Sequence, residues 1–242
     1  MKIQLETIPV WDGVKSGDEC FLCSLMERAE KDAVSYYLSS AIMTPEVRVQ
    51  TNHTGFCPHH LELLAEGGKA QSLALVMDTY YEELLSVLSP SIDRIVESDS
   101  RRRSLKALKQ FDEKASKREH GCLVCSRMKE REDRYAYTVA SLWNEDGEFR
   151  NALSSSKGFC IHHTRIIASF ADQALPSDRV PAFLSDLFTL LRSNLERVKH
   201  DAWYLTQMYK SENRGKSWEG CEDAHRRAAL KLSGVSRVLD PS

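Results

Sequence analysis

The 242-residue chain is 42% hydrophobic and 28% charged, a balance that supports a buried core and excludes a disordered chain. Its formal net charge of −2 gives no overall attraction to nucleic acid or to an anionic membrane surface. No apolar run opens the chain as a secretion signal would, and none reaches the roughly 18 residues of a membrane span, so a cytoplasmic protein with reduced cysteines is expected.

In chain order, the first feature is Cys20-Phe21-Leu22-Cys23, followed by a charged helix-forming stretch from Leu25 to Lys31 and by Tyr36-Tyr37. Val47 to Thr51 alternates briefly and reads as a short strand or an ordered loop. Asn52-His53-Thr54 matches a glycosylation sequon, incidental without a secretion signal. Gly55-Phe56-Cys57-Pro58-His59-His60 then leads into a short apolar helix pattern (Leu61, Leu63, Leu64). A longer one follows, with Leu73, Val76, Met77, Tyr80, Leu84, Leu85 and Leu88 spaced as a core-facing stripe.

The segment from Ser98 to His120 is rich in Arg and Lys, but acidic residues interrupt it and no aromatic interleaving accompanies the charge. It reads as a solvated connecting helix rather than a nucleic-acid footprint. Cys122-Leu123-Val124-Cys125 and a charged helical stretch from Arg127 to Arg134 come next. Gly158-Phe159-Cys160-Ile161-His162-His163 precedes a short pattern (Ile166, Ile167, Phe170) and a long one (Phe183, Leu187, Leu191, Leu195, Val198). A last helical pattern from Trp218 to Leu232 ends at Gly234.

The second CxxC motif lies 102 residues after the first, and the second GFCxHH motif 103 after its counterpart, so the chain is an internal duplication. The expected fold is all-α: two tandem helical repeats, each organised around a Cys3His metal site, plus a C-terminal helix. The segments are 1–100 (first repeat), 101–120 (connecting helix), 121–211 (second repeat) and 212–242 (C-terminal helix and tail).

Thiolates are soft ligands and imidazole a borderline one, so three cysteines and one histidine suit zinc in closed tetrahedral coordination. The ligand residues are Cys20, Cys23, Cys57 and His60 in the first repeat, and Cys122, Cys125, Cys160 and His163 in the second. Pro58 suits a first helical position, which places Cys57 at the cap and His60 one turn along on the same face. His60 and His163 are therefore preferred, while His59 and His162 orient the ligands or, in a non-helical knuckle, replace them. Two Zn2+ per chain are expected, with one iron–sulfur cluster per repeat as the alternative.

No HExxH, Walker, GxSxG or dinucleotide fingerprint is present. Glu62 could act as a base beside the first site, but Arg165 stands at the matching place in the second, which disfavours symmetric hydrolysis. Cys221 reads as an inert thiol and His225 as a helix-face histidine. These features predict a non-enzymatic scaffold or interaction protein with a protein partner of unspecified identity. An electron carrier or redox sensor is the alternative, and thiol–disulfide exchange leaves the CxxH pairs without a role.

At Cys20-x-x-Cys23, Val47-Arg48, Thr51-Asn52, Gly55-Phe56-Cys57-x-x-His60 and Leu73-Ala74-Leu75 the chain resembles a bacterial family catalogued as domain of unknown function 6062. The resemblance implies a cytoplasmic bacterial protein with paired Cys/His motifs and supplies no activity. His225 stands where the family pattern has an aromatic residue.

Overall fold

A computed structural model describes residues 6–119 and 121–234. His120, read above as part of the connecting segment, and the tail beyond Gly234 lie outside the described residues. The described residues form α1 (Thr7–Lys15), α2 (Phe21–Tyr37), α3 (Pro45–Thr54), α4 (Pro58–Glu66), α5 (Ala70–Val96) and α6 (Arg101–Glu119). They continue as α7 (Leu123–Glu145), α8 (Gly147–Ser154), α9 (Ile161–Ser169), α10 (Ala171–Ala174), α11 (Val180–Met208) and α12 (Ala224–Ser233). No strand occurs among them, so the fold is all-α as the spacing predicts. None of the helices is long and apolar enough to cross a membrane.

Two local expectations are corrected. Val47 to Thr51 lies inside α3, neither strand nor loop: Pro45 fixes the first turn, Glu46 faces the positive end of the helix, and Gly55 ends it at φ 74°. The last helix begins at Ala224 and not near Trp218, because Glu219 (φ 50°) and Gly220 (φ 73°) are left-handed and bar a continuous right-handed helix. Gly234 does end it, donating its N–H to the Leu230 carbonyl.

The compact units do not follow the consecutive segments read from the sequence. The described parts of Met1–Ala29 and Lys129–Leu239 form one unit, and those of Glu30–Met128 form the other. The divide falls inside α2 and again inside α7, so the second unit is inserted in the first.

In the first unit the core gathers Phe21 against Phe159, Trp11 against Phe149 and Trp143 against Phe183. Helix α11 buries Phe183, Leu187, Leu190, Asn194 and Val198, while the expected Leu191 and Leu195 are half-buried beside that seam. Helix α12 contributes a buried ammonium. Lys231 donates to the carbonyls of Glu19 and Lys157 and, at 3.4 Å, to that of Phe159, and lies 3.5 Å from the Glu19 carboxylate. Burial pushes its pKa down, and carbonyl acceptors satisfy the buried donors.

In the second unit Tyr37 packs on Phe56, and Arg127 lies over the ring of Tyr36 at 4.1 Å. Arg118 anchors α6 by donating to the carbonyls of Asn52 and His53 and to Glu83 at 2.7 Å. The stripe of α5 expected to face the core is only partly covered: of its seven residues Val76 is fully buried, five are half-buried, and Leu85 is 57% exposed.

Gly121 sets the approach of α7 to the end of α3, since a Cβ there would overlap the backbone carbonyl oxygen of Thr54. The next residue but one, Leu123, donates its N–H to the Gly55 carbonyl at 3.1 Å. Gly121→Ala is therefore expected to destabilise the protein by about 1–3 kcal/mol, the usual cost of overpacking. Gly147→Ala, where the Cβ meets open space, should be neutral or stabilising. Denaturant unfolding of the two variants side by side checks the contrast.

Candidate metal centres

Each CxxC motif sits where the chain enters a long helix. In the first, the Cys20 carbonyl accepts the N–H groups of Cys23 and Ser24, and in the second the Cys122 carbonyl accepts that of Ser126. Each CxxH motif is the first turn of a short helix. Cys57 and Cys160 are extended N-cap residues (ψ 164° and 167°), and Pro58 and Ile161 are the first helical residues. His60 and His163 thus fall three residues past the cap, and the Cys160 thiol accepts the N–H of His163 at 3.4 Å. Gly55 (φ 74°) and Gly158 (φ 65°) make the left-handed turn before each knuckle, and a Cβ on either would press on Tyr80 or Leu190.

The motifs of one repeat do not meet each other. Cys20 and Cys23 converge with Cys160 and His163 in the first unit, and Cys57 and His60 converge with Cys122 and Cys125 in the second. The expectation of one self-contained site per repeat is corrected. Each CxxC opens a long helix, 17 residues in α2 and 23 in α7, about 25 and 35 Å at 1.5 Å per residue. The chain has left the unit of its own thiols before the next CxxH is built.

In both clusters the four ligand atoms lie within 4.8 Å of one another. Around His163 Nδ1 the sulfurs of Cys20, Cys23 and Cys160 each stand at 3.3 Å. Around His60 Nδ1 those of Cys57, Cys122 and Cys125 stand at 3.1, 3.2 and 3.4 Å. Both groupings are compatible with a bound metal ion. The first is wholly buried, whereas Cys57 and Cys125 of the second are only partly covered.

Outside each cluster stands a carboxylate that the sequence reading passed over. Glu30 accepts from Nε2 of His59 and of His60, both at 3.1 Å. Glu132 lies 3.0 Å from His162 Nε2 and 3.4 Å from His163 Nε2, and is held by Lys129 at 3.1 Å. His59 and His162 thus share their neighbours' carboxylate and stay outside the Cys3His sets. A carboxylate on the far nitrogen fixes the ring and its tautomer, leaving Nδ1 for a metal. A signal was present: Glu30 and Glu132 follow Cys20 and Cys122 by the same ten residues.

The electrostatics follow from the contacts. Hydrogen bonding to His60 holds Glu30 below its usual range against the effect of burial. Burial opposes charging of His60, yet Cys122 and Glu30 push its pKa up to about 10. A hydrogen bond from Cys125 carries Cys122 down to about 3, and Cys125 rises in turn. In the other cluster hydrogen bonds from Cys20 and Cys23 lower Cys160, burial raises Cys20, and His163 is raised by Cys160 and Glu132 against its burial. In each cluster the contacts favour a negative sulfur beside a positive imidazole, and a divalent cation would favour ionisation of the thiols.

The other residues singled out in the sequence stand apart from these clusters. Glu62 and Arg165 are exposed. Cys221 is buried, with its thiol 3.9 Å from the Glu219 carbonyl, and His225 is exposed on α12.

A family model described as a family of unknown function (DUF6062) matches residues 1–238, and the chain belongs to that family. No curated protein and no solved structure matches it.

The difference in cover is measurable. On brief treatment of the folded protein with an alkylating reagent, peptide mass mapping should find the partly covered Cys57 modified first. Cys20, Cys23 and Cys160 should react only after unfolding. Equal labelling of Cys57 and those three would contradict the burial described above.

Proposed function

We propose, for this member of a family of unknown function, that each cluster holds one structural zinc ion and that the protein is a non-enzymatic scaffold locked by the pair. The observation that carries this reading is the spacing of the ligands. Two sulfurs on one tetrahedral zinc, each at about 2.3 Å, stand about 3.8 Å apart. The sulfurs of Cys23 and Cys160 are 3.8 Å apart, as are those of Cys57 and Cys125. In an iron–sulfur cluster the four protein ligands are divided among two or more irons bridged by sulfides, so ligands on different irons stand wider apart; here all four ligand atoms of each set lie within 4.8 Å of one another, which favours a single ion.

Three thiolates and an imidazole complete a tetrahedron and leave no position for water or substrate, which is the pattern of a structural site. Glu30 and Glu132 are engaged by the histidine nitrogens and are not free to act as bases. Bound zinc would supply folding free energy by joining segments distant in sequence. The reading also requires a reducing compartment such as the cytoplasm, where the thiols stay available to metal.

Elemental analysis of anaerobically purified protein is expected to give about two zinc ions per chain and no stoichiometric iron or sulfide. Paired substitutions test the crossed ligand sets. Cys20→Ser with Cys160→Ser should remove one zinc, since both changes fall in one cluster, whereas Cys20→Ser with Cys57→Ser should disable both sites. The reverse ranking would reject the crossing, and a brown, iron-loaded protein would reject zinc.

A further inference from the structure

We propose that the α5–α6 hairpin is a dimerisation surface, and that its occupant is the same hairpin of a second copy of this chain, completing a four-helix bundle. Helices α5 and α6, of 27 and 19 residues, pack on each other and leave an apolar stripe uncovered. On α5 the stripe is Ala74, Met77, Tyr81, Leu85, Leu88, Ile92 and Val96, whose spacings of three, four and four occur twice over and keep all seven on one face. Tyr81 and Leu85 are each 57% exposed and Val96 78%, and on α6 Leu105 and Leu108 are about half exposed. A contiguous apolar face of this kind on a charged hairpin marks an interaction surface.

The charge on the two helices selects a second copy. Helix α5 carries four acidic residues against one basic, and α6 carries eight basic against three acidic. Exposed Asp78, Glu82 and Asp93 run along one edge of the α5 stripe, and exposed Arg101, Arg102 and Lys109 flank Leu105 and Leu108. In a two-fold arrangement with α5 of each copy against α6 of the other, acidic edges meet basic edges twice, and one patch serves as both halves of the interface. At about 1.5 Å rise per residue and about 9 Å width per helix, the face covers on the order of 600 Å2 per copy. That reaches the lower end of a standard stable interface.

Sedimentation or light scattering on the full chain provides the test. The wild type is expected at about twice its 27.5 kDa monomer mass, with dissociation favoured at about 1 M salt, where surface charge is screened. Leu85→Glu with Ile92→Glu, both at exposed positions, should give a monomer with unchanged far-ultraviolet circular dichroism and unchanged metal content. A second test uses charge reversal. A chain with Glu82→Lys and Asp93→Lys and another with Arg102→Glu and Lys109→Glu should each dimerise poorly alone and associate when mixed. A wild type that stays monomeric at high concentration would overturn the proposal. So would a dimer untouched by the stripe substitutions, or reversed chains that fail to associate on mixing. Metal content is read separately, so failure here leaves the zinc reading standing, and the converse.

Discussion

Everything else in this fold depends on three thiols and an imidazole from two distant segments reaching one point. Cys23 and Cys160 are 137 residues apart in sequence, and Cys122 lies 62 residues beyond His60. The length-dependent part of the closure entropy is about 4 kcal/mol for loops of these sizes, and neither CxxC nor CxxH alone repays it. A structural zinc bound by such ligands contributes an apparent 10–16 kcal/mol, which outweighs closure with a wide margin. On that reading the helices deliver ligands and the ions fix which deliveries meet. Without the ions, burying three thiols and an imidazole against each other would be a liability.

The local half of this arrangement was legible in the sequence. A proline after Cys57 sets the helix start, the start sets the face, and the face brings His60 and leaves His59 outside. What was not legible is the choice of partner. A motif and its nearest successor look like one site because neighbours in sequence are usually neighbours in space. Here α2 and α7 each carry the chain from one unit into the other, and helix length, not motif order, decides which CxxH a CxxC will meet. The ten-residue step from Cys20 to Glu30, repeated from Cys122 to Glu132, already tied each thiol-bearing helix to the histidine of the other set.

Helix α5 shows a different limit of sequence reading. Its apolar spacing fixes a face but does not say what covers it. The stripe of α11 is buried at Phe183, Leu187 and Val198, whereas that of α5 is half-buried at Met77, Tyr80 and Leu88 and exposed at Leu85, although both satisfy the same periodicity. The difference lies in what is available to pack. In the first unit α9, α10 and α12 pack against α11, whereas α5 meets α3, α4 and a highly charged α6.

The two clusters, alike in ligands, are sealed by different chemistry. At the first, Glu19 precedes the CxxC and Lys157 the CxxH knuckle. Arg197 binds the Glu19 carboxylate at 2.6 Å, and Lys231 ties together the backbone that carries both motifs. At the second, the matching positions are Gly121 and Thr54, and the seal is direct backbone contact. A buried ion-pair network leaves any departure from closure with uncompensated charge, so it resists opening at a steep cost. Backbone contact carries no such penalty, and it leaves Cys57 and Cys125 partly in reach of solvent. The two ligand sets are alike, and the residues beside them leave one centre closed and the other approachable. If only one ion is ever exchanged or attacked, the surroundings of the second cluster make it the one.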